Sequence, residues 1–326
     1  MKMTSAKVLG VMTSGGDAPG MNAALRSVTR AALGTGFHVL GFDHGYEGIL
    51  REQFHQLDSR SVSNIVQRGG TILKTARSAE FMSLDGVKKA AANLQKLGVN
   101  VMVLIGGDGT FRGAVDLGKF WSGQIIGIPG TIDNDLAGTD YTIGFDTAVN
   151  TAVEAIDKIR DTAASHERFF LVEVMGRHCG QIALEVGIAG GAEEILIPEQ
   201  RVDIHRLCER LRAGRSRGKT SSIIVVAEGV DGGAAGIAEQ LRKLSQNEYR
   251  VVILGYIQRG GHPSAKDRCL ATRLGFHAVH AALNGESGKM AGEAGGKPVL
   301  VPFHIAIKGK RHVDPLYGRM MKFLNL

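Results

Sequence analysis

Short apolar runs that end near glycine alternate with helix-period stretches along most of this chain, and that alternation most restricts its fold. Val8–Met12, Phe37–Phe42, Val101–Ile105, Ile125–Ile128, Phe169–Val174, Ser222–Ala227 and Val251–Gly255 read as strands. Met21–Leu33, Val87–Leu97, Ala148–Ile159 and Ile204–Leu211 read as helices. The expected class is α/β with mostly parallel sheets. At 326 residues the chain is long enough for about two domains. In such sheets ligands bind beyond the carboxyl ends of strands, where the glycine pairs of this chain fall. With 45 glycines placed this way, the loops are predicted to be approached closely by ligands rather than to be flexible linkers. Lys289–Lys297, polar and rich in glycine, reads as a surface loop.

Composition removes several classes. No run nears the roughly 18 apolar residues that span a bilayer, and Met1–Lys7 leads straight into Val8–Met12, which predicts no signal peptide and no membrane partner. Cys179, Cys208 and Cys269 are far apart and lack metal-ligand spacing, so reduced thiols and a cytoplasmic location are expected. The histidines are scattered, which argues against a zinc site. Net charge is +7 (39 Lys+Arg against 32 Asp+Glu). The basic residues are dispersed and aromatics make up only 6%, so small anionic ligands explain the excess better than nucleic acid does.

Two strand ends carry the chemistry. Gly106-Gly107-Asp108-Gly109-Thr110 follows one apolar run, and Pro129-Gly130-Thr131-Ile132-Asp133-Asn134-Asp135 follows the next. Phosphoryl transfer from a magnesium nucleotide needs bare backbone amides for phosphate, one carboxylate for metal and another for the attacking hydroxyl. Asp108 suits the metal. Asp133 or Asp135 suits the hydroxyl; an isolated Asp-Asn-Asp would be turn chemistry, but its place at a strand end after Pro-Gly favours function. Thr13-Ser14-Gly15-Gly16-Asp17 joins the first strand to the first helix and can turn amides toward a phosphate. It does not fit G-x-G-x-x-G, so a dinucleotide is not favoured. Arginines gather at strand ends, among them Arg160, Arg168, Arg177, Arg250 and Arg259, where a planar fork can pair with phosphate oxygens. Ala213–Thr220 fits a loose P-loop pattern, but a helix precedes it and a strand follows, the reverse of a true P-loop.

Together these segments resemble the bacterial-type, ATP-dependent 6-phosphofructokinase family. The resemblance runs in order from Val8 to about Arg268 and rests on P-G-T-I-D-N-D (129–135), T-D-Y-T-I-G-F-D (139–146), V-E-V-M-G-R (172–177) and I-Q-R-G-G (257–261). It implies two three-layer α/β domains with mostly parallel sheets and an active site in the cleft between them. The larger, ATP-binding domain would take 1–144 plus about 258–308, and the smaller, fructose 6-phosphate-binding domain 145–257 plus about 309–326. It further implies a glycolytic kinase that transfers the γ-phosphoryl of MgATP to the 1-hydroxyl of fructose 6-phosphate. Gly16, Arg77, Asp108, Gly109 and Thr110 would bind MgATP, with Mg²⁺ at Asp108. Asp133 would be the base, and Thr131 and Arg177 would steady the transferred group. Asp135, Met175, Gly176, Arg177 and Glu228 would lie at the sugar, with Arg259 and Tyr256 at the 6-phosphate. Arg168 and Arg250 would reach that phosphate from a neighbouring subunit, which implies a homotetramer. Arg26, Arg30, Arg160, Glu193, Arg217 and Lys219 match the family's site for ADP or phosphoenolpyruvate.

Departures are few. Pyrophosphate-using relatives carry Asp where this chain has Gly109 and Lys where it has Gly130, so glycine at both favours ATP. Tyr256 stands for a usual His, Lys74 for a usual Gly, Ser78 for an aromatic. Ser59 and Arg60 replace an effector-contacting Arg and an aromatic, which implies weak or altered effector control. The competing readings are pyrophosphate as donor and a non-catalytic regulatory paralogue.

Overall fold

The first apolar run is strand β1 (Val8–Thr13), and Gly20, left-handed at φ 108°, opens helix α1 (Met21–Gly34). Then come β2 (His38–Phe42), the short α2 (Tyr46–Leu50), β3 (Phe54–Leu57), α3 (Leu84–Lys96), β4 (Val99–Gly106), α4 (Asp108–Leu117) and β5 (Gln124–Pro129). After the Asp133 loop the chain forms α5 (Phe145–His166), β6 (Phe169–Val174), α6 (Gln181–Ala189), β7 (Glu194–Leu196) and α7 (Ile204–Ser216). It continues through β8 (Ser222–Ala227), α8 (Gly233–Ser245) and β9 (Tyr249–Ile253) to α9 (Ala265–Leu283), β10 (Lys289–Ala294), β11 (Lys297–Pro302) and α10 (Phe303–Lys308). This computed structural model describes residues 7–245, 247–308, 316, 317 and 320. No helix among them is long and apolar enough to cross a membrane.

The chain divides into two units. The first comprises Met1–Ile132, Leu136–Thr147 and Arg259–Lys310; the second comprises Asp133–Asp135, Ala148–Gln258 and Arg311–Leu326. The sheet of the first unit runs β11-β10-β5-β4-β1-β2-β3. From β1 the chain moves outward to β2 and β3, then returns to the other side of β1 as β4 and β5. That reversal is a topological switch point, and it sets the turns after β1 and β4 side by side. The pairs β1–β2, β1–β4 and β4–β5 are parallel, while β3 and β11 are antiparallel additions. The central strand β4 is buried along nearly its whole length, as a strand covered on both faces must be. On one face Phe111 of α4 stacks on Phe303 of α10 with ring centroids 5.1 Å apart. Gly127 lets this pair sit on β5, since a Cβ there would lie 2.5 Å from the Phe111 ring. On the other, α1 and α9 meet at Gly275, where a Cβ would fall 2.7 Å from that of Ser27. Each fully buried large side chain of this core contributes about 1.5–3 kcal/mol.

The sheet of the second unit runs β7-β8-β6-β9, all parallel. Every residue of β8 is buried, which suits its central place. Tyr249 of β9 is fully buried against Phe169, and its hydroxyl shares a 2.9 Å hydrogen bond with Ser245, which satisfies its polar end.

Three elements differ from the sequence reading. Lys289–Lys297 is not a loop: it supplies β10 and the turn into β11. Met290 and Ala291 are buried, and Gly295 and Gly296 at φ 56° and 73° form the tight turn that joins the strands. Glycine and charge on the outer half of a hairpin hid a strand whose inner half is apolar. Helix α5 starts at Phe145 rather than Ala148 and runs on to His166, because its first turn is held by a carboxylate from α9, a partner far away in sequence. Strand β9 ends at Ile253, where left-handed Gly255 (φ 54°) turns the chain into one turn of 3-10 helix.

Candidate active site

In the first unit the parallel order β5-β4-β1 brings three strand ends together. Ser14 N–H donates to the Ile105 carbonyl at 3.0 Å, and Gly130 N–H to that of Gly106 at 3.0 Å. No side chain except hydrogen fits at Gly106, where a Cβ would lie 2.3 Å from Thr110 Oγ1 and 2.6 Å from the Ser14 carbonyl. Gly107 precedes α4 without a side-chain cap, so the first amides of that helix have no protein acceptor from a cap. At exposed Gly109 a Cβ would meet nothing within 4 Å, so the space beside it is open. The same test at Gly130 finds Ile105 Cγ2 at 3.0 Å and Met21 Cε at 3.1 Å, so a larger residue here would press on the protein's own packing. Asp108 sits in the first turn of α4, partly exposed, with both oxygens 3.0 Å from Arg112 Nε. The Arg259 guanidinium lies against the Gly16 turn and donates to the Asp17 carbonyl at 3.3 Å. At these turns two buried polar atoms, Thr110 Oγ1 and Arg259 Nε, have no hydrogen-bond partner among the described residues. A polyanion over the turns would offer them acceptors.

Tyr46, which sequence reasoning passed over, supports these turns from beneath. Its hydroxyl donates to the Thr110 carbonyl at 2.6 Å, and its ring stacks on Phe81 at 3.8 Å and fills the space left by Gly113. Burial, with a smaller effect of Asp116, holds its pKa well above the usual phenol value, so it stays a donor. Lys74 adopts a left-handed conformation (φ 56°), and this explains a usual glycine there. Ser78 donates to Glu47 at 2.5 Å, and Arg77 is exposed.

In the second unit Asp133 is the centre. Its side chain is 3% exposed, and Arg177 Nε lies 3.4 Å from Oδ2. Arg177 is itself left-handed (φ 52°) and follows Gly176 at φ 138°, where a Cβ would collide with the Cys179 carbonyl at 2.5 Å. Glu228 at the end of β8 holds this strained turn: Oε1 accepts the N–H groups of Gly176 (3.1 Å) and Arg177 (2.7 Å). Fully buried Gln258 accepts the Met175 N–H at 2.8 Å. Glu228 and Gln258 thus fix the backbone from which Arg177 reaches Asp133. The Cys179 thiol is pushed up to about 12, first by burial, then by the carboxylates of Glu199, Asp135 and Asp133. It remains protonated at neutral pH.

The remaining sequence candidates fall into groups. Met175 is buried beside Gly176, whereas Tyr256 is 82% exposed. Arg168 and Arg250 do not join Asp133 and Arg177: they precede or begin β6 and β9, at the end of the parallel sheet opposite Met175 and Glu228. Six residues of strand make about 20 Å. Arg250 pairs with Glu248 at 2.8 Å. Arg160 is committed to the carbonyls of Gly190 and Gly191 and lies 4.0 Å from Glu193. Arg217 is exposed just after α7, and the Lys219 N–H closes that turn onto the Gly214 carbonyl at 3.1 Å. On α1, Arg26 is half-buried and Arg30 exposed.

The chain is similar to known proteins in sequence and in fold. Residues 8–282 match the family model described as phosphofructokinase. The chain is 56% identical to ATP-dependent 6-phosphofructokinase 1 of Thermus thermophilus over 321 residues, 98% of this chain and 100% of the relative. It superposes on phosphofructokinase from Saccharomyces cerevisiae with a TM-score of 0.85 at 36% identity, covering 98% of this chain and 47% of the yeast chain. A pyrophosphate-dependent phosphofructokinase from Marinobacter aquaeolei has the same fold at 23% identity (TM-score 0.84, covering 95% and 86%). The fold therefore does not select the phosphoryl donor; individual residues have to.

Proposed function

The chain belongs to the phosphofructokinase family, and we propose that it is an ATP-dependent 6-phosphofructokinase that moves the γ-phosphoryl of ATP to the 1-hydroxyl of fructose 6-phosphate. The observation that carries this reading is a buried carboxylate, Asp133, set against a guanidinium at 3.4 Å, two residues after Thr131 on the loop that leaves β5. Asp133 accepts the proton of the attacking hydroxyl, so the nucleophile gains charge as the bond to phosphorus forms. Arg177 and Thr131 balance the charge on the transferred group, and Arg177 is positioned for this by Glu228. The amides around Gly16 and at the start of α4 hold the donor's phosphates, with Thr110 in the first turn of that helix.

ATP is preferred over pyrophosphate because the space beside Gly109 is open and Gly109 itself adds no charge, which leaves room for the inner phosphate. Gly130 lends less to that choice, since close packing against Ile105 and Met21 also bears on it.

A divalent cation, Mg²⁺ by family, fits Asp108. Among the described residues no cluster of three His, Cys, Asp or Glu could hold a metal. One exposed carboxylate suits an ion that keeps most of its waters and binds chiefly to phosphate. Such an ion neutralises charge on the donor's phosphates when bound.

Arg168 and Arg250 serve the sugar phosphate of a second copy of the chain, which makes a symmetric oligomer, a homotetramer by family, part of the proposal. Their distance along the sheet from Met175 supports this. An effector site for ADP or phosphoenolpyruvate, with Arg26, Arg30, Arg160, Glu193, Arg217 and Lys219 matching it by family and control weakened or altered by Ser59 and Arg60, belongs to the proposal as well. The first unit takes the nucleotide and the second the sugar.

The test is initial rate with fructose 6-phosphate and either ATP or pyrophosphate, with and without a chelator. Turnover with ATP alone, abolished by chelation and restored by Mg²⁺, is expected. Turnover with pyrophosphate would overturn the donor assignment, and turnover with neither would overturn the enzyme.

A further inference from the structure

Asp267, the α9 carboxylate that holds the first turn of α5, lies outside every residue placed at the site above and is 1% exposed. Its carboxylate accepts the N–H of Gly144 at 2.9 Å, the N–H of Thr147 at 2.8 Å and the Thr147 hydroxyl. Burial raises its pKa in spite of these bonds. Around it, Ser264 N–H donates to Thr147 Oγ1 at 2.9 Å and Ser264 Oγ donates to Asp146 at 2.7 Å. A buried carboxylate is a costly way to cap a helix. A local Ser or Asp would satisfy the first turn of α5 as well. What a carboxylate on α9 adds is location: it fixes 144–147 relative to an element about 120 residues away.

The residues just before that clamp hold the catalytic loop. Ile143 N–H donates to the Pro129 carbonyl at 2.8 Å, Ile143 bridges to Gly130, and the buried Thr142 hydroxyl donates to the Thr131 carbonyl at 2.6 Å. The segment also abuts the first turn: a Cβ at Gly20 would lie 2.6 Å from Ile143 Cγ2, and one at Gly144 would lie 2.7 Å from the Ala18 Cβ. One short segment is thus gripped by Asp267 at one end and grips Pro129–Thr131 at the other.

We propose that Asp267 is a positioning residue for phosphoryl transfer, acting through 142–147 to set the Thr131 backbone from which the Asp133 loop departs. The proposal rests on the phosphofructokinase reading. It separates from a stabilising role by what it changes. A misplaced Thr131 harms the transition state more than the bound substrates, so kcat falls while KM values hold.

The experiment compares Asp267→Asn, Thr142→Val and the double variant, each assayed per folded protein after a thermal melt. Asn is nearly isosteric but sets an NH₂ group against donors. Each single change is expected to lower kcat roughly tenfold or more, since displacements near 1 Å cost up to about a hundredfold. KM values for ATP and fructose 6-phosphate are expected to stay within about twofold. Because both changes break one path, the double variant should lose little more than the worse single one. Full kcat with only a lowered melting midpoint, or losses that multiply, would overturn the proposal. If Asp267→Asn does not fold, unchanged kcat in Thr142→Val overturns it alone. Inactive unsubstituted protein would refute the phosphofructokinase reading itself; active protein with unaffected variants would refute only the role of Asp267.

Discussion

Gly109→Asp separates donor recognition from folding. Gly109 is the second residue of α4, exposed, with no atom within 4 Å of a prospective Cβ. An Asp side chain therefore starts into open space. Leaving glycine in a helix gains a few tenths of a kcal/mol. A negative charge in the first turn gains about 0.3–1 kcal/mol more, reduced by neighbouring Asp108. The unfolding midpoint should stay or rise slightly. Function should move the other way. A carboxylate about 5 Å from a donor phosphate at an effective dielectric near 20 repels it by about 3 kcal/mol. Solvent on the open side lowers that to about 1–3 kcal/mol, a roughly fivefold to 150-fold fall in kcat/KM for ATP. The assay is steady-state kinetics with ATP and with pyrophosphate, alongside thermal unfolding. A folded variant with unchanged kcat/KM for ATP would refute the view that the donor lies over Gly109. A variant that unfolds early would show that packing holds this glycine.

Gly130→Ala should behave oppositely: its Cβ would press on Ile105 and Met21 at 3.0 and 3.1 Å, so thermal or urea melts should show a loss of about 1–3 kcal/mol. Lys74→Gly relieves a left-handed non-glycine residue and should leave stability unchanged or raise it by up to about 1 kcal/mol in the same melts. Iodoacetamide on native protein at pH 8, read by peptide mass spectrometry, should label exposed Cys269 and spare Cys179. A thiol near 12 holds roughly a thousandfold less thiolate than an ordinary cysteine there, and burial slows it further.

The class of fold and the position of the Pro129–Asp135 loop at a strand end were legible because their signals are local. Apolar runs, glycine at strand ends and the string Pro129–Asp135 each occupy a few adjacent residues. What escaped was non-local or mixed. The hairpin β10–β11 was hidden because its outer half is glycine and charge while only Met290 and Ala291 mark the inner half. The start of α5 escaped because its cap, Asp267, lies on another helix. Tyr46 carried no motif at all; its role appears only when α2 is packed under Thr110. Glu228 and Gln258 were visible as strand-end or motif residues, but their grip on the Arg177 turn depends on β6, β8 and β9 being neighbours. At Gly130, read as a sign of the donor, close neighbours in the core act as well, and these lie on other elements.

The central claim is that Asp133, buried beside Arg177, is the base of an ATP-driven phosphorylation of fructose 6-phosphate. The most direct test is kcat of Asp133→Ser with saturating MgATP and fructose 6-phosphate, on protein whose melt matches the parent. The account expects a fall of about 10²–10⁴-fold, with ATP still bound; turnover within a few-fold of the parent would contradict it.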